Sequence, residues 1–211
     1  MNLADLRLSY TKAGLTETDI DPDPFRQFEL WMSQAISSQL IEPNAMTLAT
    51  VDGSGQPNAR AVLLKGFDPT GLVFYTNYES RKSREIAANP NVCLLFYWAE
   101  LERQVRVVGR AERVPEAESE AYFQSRPVGH QLGAWVSNQS TVIAGREVIE
   151  ESLASVSKRF EPGPVPRPPH WGGYRVVPHA FEFWQGRPNR LHDRLEYNLA
   201  KGTWTIRRLS P

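Results

Sequence analysis

The sequence predicts a mainly β protein, an antiparallel sheet curled into a barrel with surrounding helices. Three observations lead there: short apolar runs divided by turn formers lie early and late in the chain, helical spacing fills the stretches between, and regular strand-helix alternation is missing. The 211 residues suit a good-sized core, read as an N-terminal arm over 1–23 and a single domain over 24–211. With 24 basic and 24 acidic residues, no global charge draws the chain to nucleic acid or an acidic membrane, so any anion site must be local. Cys93, the only cysteine, lies inside the apolar run from Val92 to Tyr97, which excludes an internal disulfide and a multi-cysteine metal centre and suggests a buried, inert thiol. No segment approaches the roughly 18 successive apolar residues of a membrane span. The expected setting is cytoplasmic.

Residues 1–23 are polar, with Gly14 a turn former and acids at Asp19, Asp21 and Asp23, and should order only where they dock. Asp23 before Pro24 is a helix start, and Phe25, Phe28, Trp31, Met32, Ala35, Ile36 and Leu40 then recur at helical spacing. From Ala45 the period shortens. Met46 to Val51, Ala59 to Lys65, Leu72 to Thr76 and Asn91 to Tyr97 read as strands, with Asp52-Gly53-Ser54-Gly55 and Asp68-Pro69-Thr70-Gly71 as turns of antiparallel hairpins. Ser80 can cap a short helix reaching about Ala88, with Arg81 and Lys82 in its first turn, where the helix dipole disfavours positive charge. Exposed amides plus two cations there form a phosphate cradle.

Glu102 to Val114 continues the sheet, with Gln104 and Arg106 on the face opposite Val105 and Val107. Pro115 opens an acid-rich helix from Glu116 to about Ser125, and Tyr122 and Arg126 can reach one ligand oxygen if the helix persists that far. The stretch Gly133 to Ser140 is amphipathic, and a helix from about Ala144 to Phe160 carries Ile149, Leu153, Val156 and Phe160 on one stripe. Five prolines between Pro162 and Pro169 form an extended connector, after which Trp171 to Val177, Phe181 to Gln185, Arg190 to Tyr197 and Thr203 to Leu209 finish the sheet. Within it, residues 182–194 read as a hairpin turning at Gly186, Pro188 and Asn189. Alternation along its second arm puts Arg190, His192 and Arg194 on one face and Leu191 and Asp193 on the other. Cations gathered so call for an anion or solvent opposite, and Trp184 beside them suits the wall of a flat ligand.

Further cations cluster at Arg60 with Lys65, at Arg81 with Lys82, and at Arg126 beside Tyr122, several of them within or beside apolar strands where unpaired charge is unfavourable. Two bound phosphates would account for them. A Gly-rich dinucleotide turn, a P-loop, HExxH and Gly-x-Ser-x-Gly are all absent from the sequence, so redox chemistry would need a borrowed cofactor.

From about Arg7 to Pro211 the sequence resembles the pyridoxamine 5′-phosphate oxidases, flavin mononucleotide (FMN) enzymes of vitamin B6 metabolism. The motifs are Arg60-Ala61-Val62-Leu63-Leu64-Lys65, Phe74-Tyr75-Thr76-Asn77, Ser80-Arg81-Lys82, Leu101-Glu102-Arg103-Gln104-Val105, Gly133-Ala134-Trp135-Val136-Ser137 with Gln139-Ser140, Trp171-Gly172-Gly173, and the stretch through Arg194. The resemblance implies an FMN-binding split barrel of Greek-key type, a homodimer with FMN in clefts at the subunit interface, and a C-terminal dimerisation and substrate segment. It implies that Arg60, Ala61, Val62, Leu63, Leu64, Lys65, Tyr75, Thr76, Arg81, Lys82, Gln104, Gln139, Ser140, Trp184 and Arg194 hold the flavin. Lys65, Tyr122 and Arg126 would grip the substrate phosphate, Arg190 and His192 would face the pyridine ring and its reacting carbon, and Arg7 and Tyr10 would close over the site. Where the family pattern usually has a phosphate-holding serine, this chain has His130, which can still donate, more strongly when protonated. The implied reaction is hydride transfer from pyridoxamine or pyridoxine 5′-phosphate to flavin, with reoxidation by O2 to hydrogen peroxide; no metal is called for. A non-catalytic binder of flavin or pyridoxal phosphate and a nicotinamide-dependent flavin reductase remain the alternatives.

Overall fold

The helix that covers the core starts where Asp23 accepts a hydrogen bond from the Phe25 amide at 2.9 Å and Pro24 supplies a first-turn residue with no amide to satisfy. This computed structural model describes residue 3 and residues 9–211, so Arg7 lies outside the described residues. Helix α1, Pro24–Ser37, is followed by β1 Ala45–Val51, β2 Pro57–Leu63, β3 Gly66–Asp68 and β4 Gly71–Asn77. Helix α2, Arg81–Ala88, leads to β5 Asn91–Trp98 and β6 Arg103–Arg113. Three helices come next, α3 Glu116–Gln124, α4 Val128–Val136 and α5 Glu147–Phe160, before β7 Trp171–Gln185, β8 Asp193–Ala200 and β9 Thr203–Arg208. The strand order is β2-β1-β5-β6-β7-β4-β3, with β8 on β7 and β9 on β8, all antiparallel. Strands β2 and β4 approach without sharing a ladder, so the barrel is split.

Alternation fixes which side chains enter the barrel. Leu48, Leu94, Val105, Val107, Phe181, Phe183, Leu195 and Tyr197 are fully buried, and α1 lays Phe25 against Phe181 and Trp31 against Phe183, each pair 5.3 Å between ring centroids. Leu15 and Ile20 of the N-terminal segment join the same core.

The sequence divides Trp171–Val177 from Phe181–Gln185, but the chain runs through as one strand. Its register against β6 slips between Val108 and Gly109, opposite Pro178, whose missing amide is tolerated at such a bulge. A Cβ on Gly109 would lie 2.4 Å from the Val177 carbonyl oxygen, so glycine alone lets the strands close there. Before the bulge β7 pairs with β4, and after it with β8.

Other expectations need correcting. Arg190 lies in a 3-10 turn, Pro188–Arg190, at a φ of 62°, and β8 begins only at Asp193, so Arg190, His192 and Arg194 do not share a strand face. Left-handed Asn189 and Arg190 carry the turn past Gly186, Pro188 and Asn189, where the sequence reading ended it. Helix α3 stops at Gln124, leaving Arg126 past its end, and α4, begun by Pro127, went unanticipated. Helix α5 starts at Glu147, and its stripe stays half open, with Ile149 38% and Leu153 42% exposed. The Ser80 hydroxyl donates to Ser83 Oγ at 3.2 Å instead of capping α2. Cys93 is partly buried, and desolvation pushes its thiol pKa up. Among the described residues no helix is long and apolar enough to cross a membrane, and no group of three or more His, Cys, Asp or Glu could hold a metal.

Phe181→Ala should lower unfolding stability by about 3–5 kcal/mol, because a fully buried ring leaves a cavity. Ile36→Ala, at 59% exposure, should change it by less than about 0.5 kcal/mol when both are measured by urea unfolding at one protein concentration.

Candidate functional site

The gap between β2 and β4 opens into a cleft of about 1100 Å³. Strand β2 ends the strand order, so its outer edge lacks a ladder partner among the described residues and offers backbone as well as side chains to the space. Arg60, Ala61, Val62, Leu63 and Lys65 line it from this side, Tyr75 and Thr76 from β4, and Arg81 and Lys82 from the start of α2. Tyr122, Arg126 and His130 come from α3, the following turn and α4, and Gln139 and Ser140 from the loop beyond. Leu64 turns into the core instead. Asn58, Asn77 and Trp171 also line the cleft; β2 alternation and the Trp171-Gly172-Gly173 motif were the available signals for Asn58 and Trp171.

At the α2 end, Lys82 is nearly buried, and its Nζ donates to Gln139 Oε1 at 2.8 Å and Thr76 Oγ1 at 3.1 Å. Burial, and then the nearby Arg60 guanidinium, pull its pKa down to about 8. The buried Glu85 carboxylate accepts from Arg60 Nη2 at 2.9 Å, from Asn58 Nδ2 at 2.8 Å and from Thr50 Oγ1. Its oxygens are therefore engaged away from Arg81, and the first turn of α2 contains no acid. The positive end of a helix, an arginine and a lysine easily reprotonated make an anion site.

A second cationic group stands on aromatic rings. Tyr75 stacks on Tyr122 at 3.9 Å and lies nearly parallel to Trp171 at 5.5 Å, while the Arg126 guanidinium carbon sits 4.6 Å from the centre of the Trp171 ring. Burial, then Glu118, pushes the Tyr75 phenol up to about 12, so it remains a neutral donor. Arg126 Nη1 is buried without a hydrogen-bond partner among the described residues, an unfavourable state that an incoming oxyanion would relieve.

The remaining candidates gather elsewhere. Register puts Tyr97, Gln104, Trp184 and Arg194 in one row across β5, β6, β7 and β8, on the face opposite the core residues Val105, Phe183 and Leu195. Arg194 Nε donates to Glu182 Oε1 at 2.8 Å, and Arg106 grips the other oxygen. Trp184 lies 4.6 Å from His192, and Tyr10 meets both rings edge-on at 5.8 and 5.7 Å. His192 Nδ1 accepts from the Arg187 amide at 3.1 Å, so the neutral ring carries its proton on Nε2; burial, then Arg190, lowers its pKa. The arm is held by Lys12 N to Glu102 Oε2 at 3.0 Å and Leu15 N to Asp193 Oδ2 at 3.1 Å. Tyr10, Gln104, Trp184, Arg190, His192 and Arg194 are outside the lining of the cleft in their own chain.

A family model described as pyridoxamine 5′-phosphate oxidase matches residues 32–160, and one described as the pyridoxine 5′-phosphate oxidase C-terminal dimerisation region matches residues 171–211. The pyridoxine/pyridoxamine 5′-phosphate oxidase of Synechocystis sp. is 56% identical over 211 residues, covering 100% of this chain and 99% of that protein. The one from Burkholderia thailandensis is 58% identical over 212 residues, covering 99% of each. Among solved structures, PhzG from Burkholderia lata 383 in complex with tetrahydrophenazine-1-carboxylic acid superposes with a TM-score of 0.87 at 30% identity over 93% of this chain and 98% of that one. A pyridoxamine 5′-phosphate oxidase-related, FMN binding protein from Nostoc punctiforme gives 0.73 at 20% identity over 91% of this chain and 100% of that one, a likeness of fold.

Glu85→Gln should destabilise the chain by about 2–3 kcal/mol, since it removes the buried counter-charge of Arg60 while keeping the shape. Urea unfolding at pH 7 measures it, and a change under about 0.5 kcal/mol would mean that Glu85 is not what offsets Arg60.

Proposed function

The chain belongs to the pyridoxamine 5′-phosphate oxidase family, and from that premise we propose that it oxidises pyridoxamine and pyridoxine 5′-phosphate to pyridoxal 5′-phosphate with FMN as cofactor and O2 as acceptor. The observation that carries this reading is a single cleft with cations at the α2 start and at Arg126, one of whose nitrogens is buried and unpaired. Two phosphorylated rings fit such a space. FMN, when bound, would supply the electron chemistry, as acceptor of a hydride from the substrate C4′ carbon with O2 as final oxidant and hydrogen peroxide as its product. An amine substrate is left as an imine, which water converts to aldehyde and ammonia.

The protein's own part is binding and orientation. Arg81, Lys82 and the α2 amide end hold the flavin phosphate, with Thr76, Gln139 and Ser140 beside them and the free edge of β2 along the ring. Lys65, Tyr122, Arg126 and His130 take the substrate phosphate. Gln104, Trp184, Arg190, His192 and Arg194 belong to the neighbouring site: in a homodimer, the row that each chain leaves outside its own cleft completes its partner's. The dimerisation region matched over residues 171–211 supports that arrangement. His192, neutral with its proton on Nε2, then donates to the pyridine ring while Arg190 stabilises charge, and Tyr10 closes over them. The expected setting is the cytoplasm, since 24 basic against 24 acidic residues leave no net charge to draw the chain to an acidic membrane.

Incubating the protein with FMN and pyridoxine 5′-phosphate in air should yield aldehyde and hydrogen peroxide together. Flavin bound with no turnover would favour a carrier, and oxidation of a reduced nicotinamide with indifference to pyridoxine phosphate would favour a flavin reductase. Arg190→Ala should lower kcat/KM by about 100-fold with flavin affinity within about threefold of the parent, as for loss of a group aimed at the reacting ring. Equal loss of both, by flavin titration and peroxide release, would contradict its placement.

Lys82 gives a pH signature. Its folded pKa, about 8, lies below the ordinary 10.5, so at pH 9 the unliganded protein has mostly released this proton and a bound phosphate draws it back. FMN binding at pH 9 should take up nearly one proton, about 0.9 by this shift, measured calorimetrically in buffers of different ionisation enthalpy. Lys82→Met should abolish the uptake.

A further inference from the structure

We propose that Trp171 is a positioning residue for the substrate phosphate: it presents the Arg126 guanidinium edge-first to the cleft without neutralising it. The inference rests on the reading that Arg126 grips that phosphate. Arg126 follows the end of α3, so the helix does not fix its side chain; its carbonyl accepts from Gln131 Nε2 at 2.9 Å, which anchors only the backbone. No carboxylate pairs with its guanidinium among the described residues. The Trp171 ring supplies what a carboxylate would otherwise provide, an electron-rich face 4.6 Å from the guanidinium carbon. A ring face takes none of the N–H groups of a guanidinium placed over it, so they stay available for the paired oxygens of a phosphate, and Arg126 Nη1 has no hydrogen-bond partner among the described residues.

Trp171 is itself held firmly. It is 7% exposed, its amide donates to Pro168 O at 3.0 Å, its carbonyl accepts from Arg167 Nη1 at 2.6 Å, and its register partner is Asn77. Its ring is parallel to Tyr122 within 7° and meets Phe123 edge-on at 5.2 Å. The ring over which Arg126 sits is thus held by β7 and α3 together.

The test is a double-mutant cycle on the FMN-loaded enzyme, with affinities for pyridoxal 5′-phosphate and for pyridoxal measured by equilibrium titration and folding checked by thermal melts. Trp171→Leu should weaken pyridoxal 5′-phosphate about tenfold, the size of a partly desolvated cation–π contact, and leave pyridoxal within about twofold. Trp171→Phe should recover most of the loss and leave a deficit of about threefold. In an Arg126→Ala background, Trp171→Leu should add less than about twofold. Additive losses, or equal weakening of both ligands, would overturn the proposal by making Trp171 only part of the packing. Arg126→Ala that fails to weaken the phosphorylated ligand selectively would instead overturn the phosphate reading beneath it. If Trp171→Leu does not fold, Trp171→Phe carries the cycle: about a threefold loss that vanishes without Arg126 supports the proposal, and none, or one that persists, overturns it.

Discussion

A nearly buried carboxylate, Glu85, sets the electrostatics of the molecule. It accepts from Arg60, Asn58 and Thr50 at once, pinning α2 to the β1–β2 hairpin through charge-assisted bonds inside a poorly solvated space. Because both of its oxygens are engaged there, Arg81 and Lys82 face the cleft without a matching acid in their own turn. The interaction that docks the helix is therefore also what leaves its positive end open to a ligand. An acid in that turn would stabilise the chain on its own and spoil the anion site.

Strand β7 gives this arrangement its geometry. Fifteen residues long, it pairs with β6 from Tyr174 to Gln185 but exchanges β4 for β8 at the Pro178 bulge, so one strand holds the cleft floor at Trp171 and the outer row at Trp184. The outer row is backed by a second ionic knot, Glu182 between Arg106 and Arg194. Burial alone would raise the Glu182 pKa, but hydrogen bonds from Arg194 and Arg106 outweigh it and hold the carboxyl low. Its contribution is present at neutral pH and is lost as the pH falls through that lowered value. In the proposed dimer, rigid backing suits groups that would meet a ligand held mostly by the partner chain.

What was legible in the sequence follows from how local each cause is. Asp23-Pro24 and the spacing of Phe25, Phe28, Trp31 and Met32 define α1 within its own residues, and alternation with the turns at Asp52-Gly53 and Asp68-Pro69 defines the early hairpins. The continuity of β7 was not legible, because Pro178 reads as a break until Gly109, far away in the chain, is brought opposite it. The hairpin at residues 182–194 was visible as a turn, yet its extent depended on the left-handed Asn189 and Arg190, which alternation cannot foresee. Arg81 and Lys82 announced themselves by a local conflict with the helix dipole. Trp171 did not, since its role arises only where β4, α3 and β7 stack three rings.

The two ends of the cleft solve the burial of positive charge in different ways, and the choice of residue follows from the solution. A lysine can release its proton, so Lys82 sits near the balance point at about pH 8, and its burial in the empty protein is relieved by partial neutrality. An arginine cannot release one near neutral pH. Burial lowers the Arg126 pKa, but the group stays charged, and aromatic faces must compensate where water has been excluded. A lysine-ended site takes up a proton with its ligand above pH 8, whereas an arginine-ended site presents constant charge and fixed geometry. Adjustable affinity suits the cofactor proposed for the α2 end, and fixed geometry suits the substrate proposed for the Arg126 end, whose ring must arrive in one orientation at every turnover.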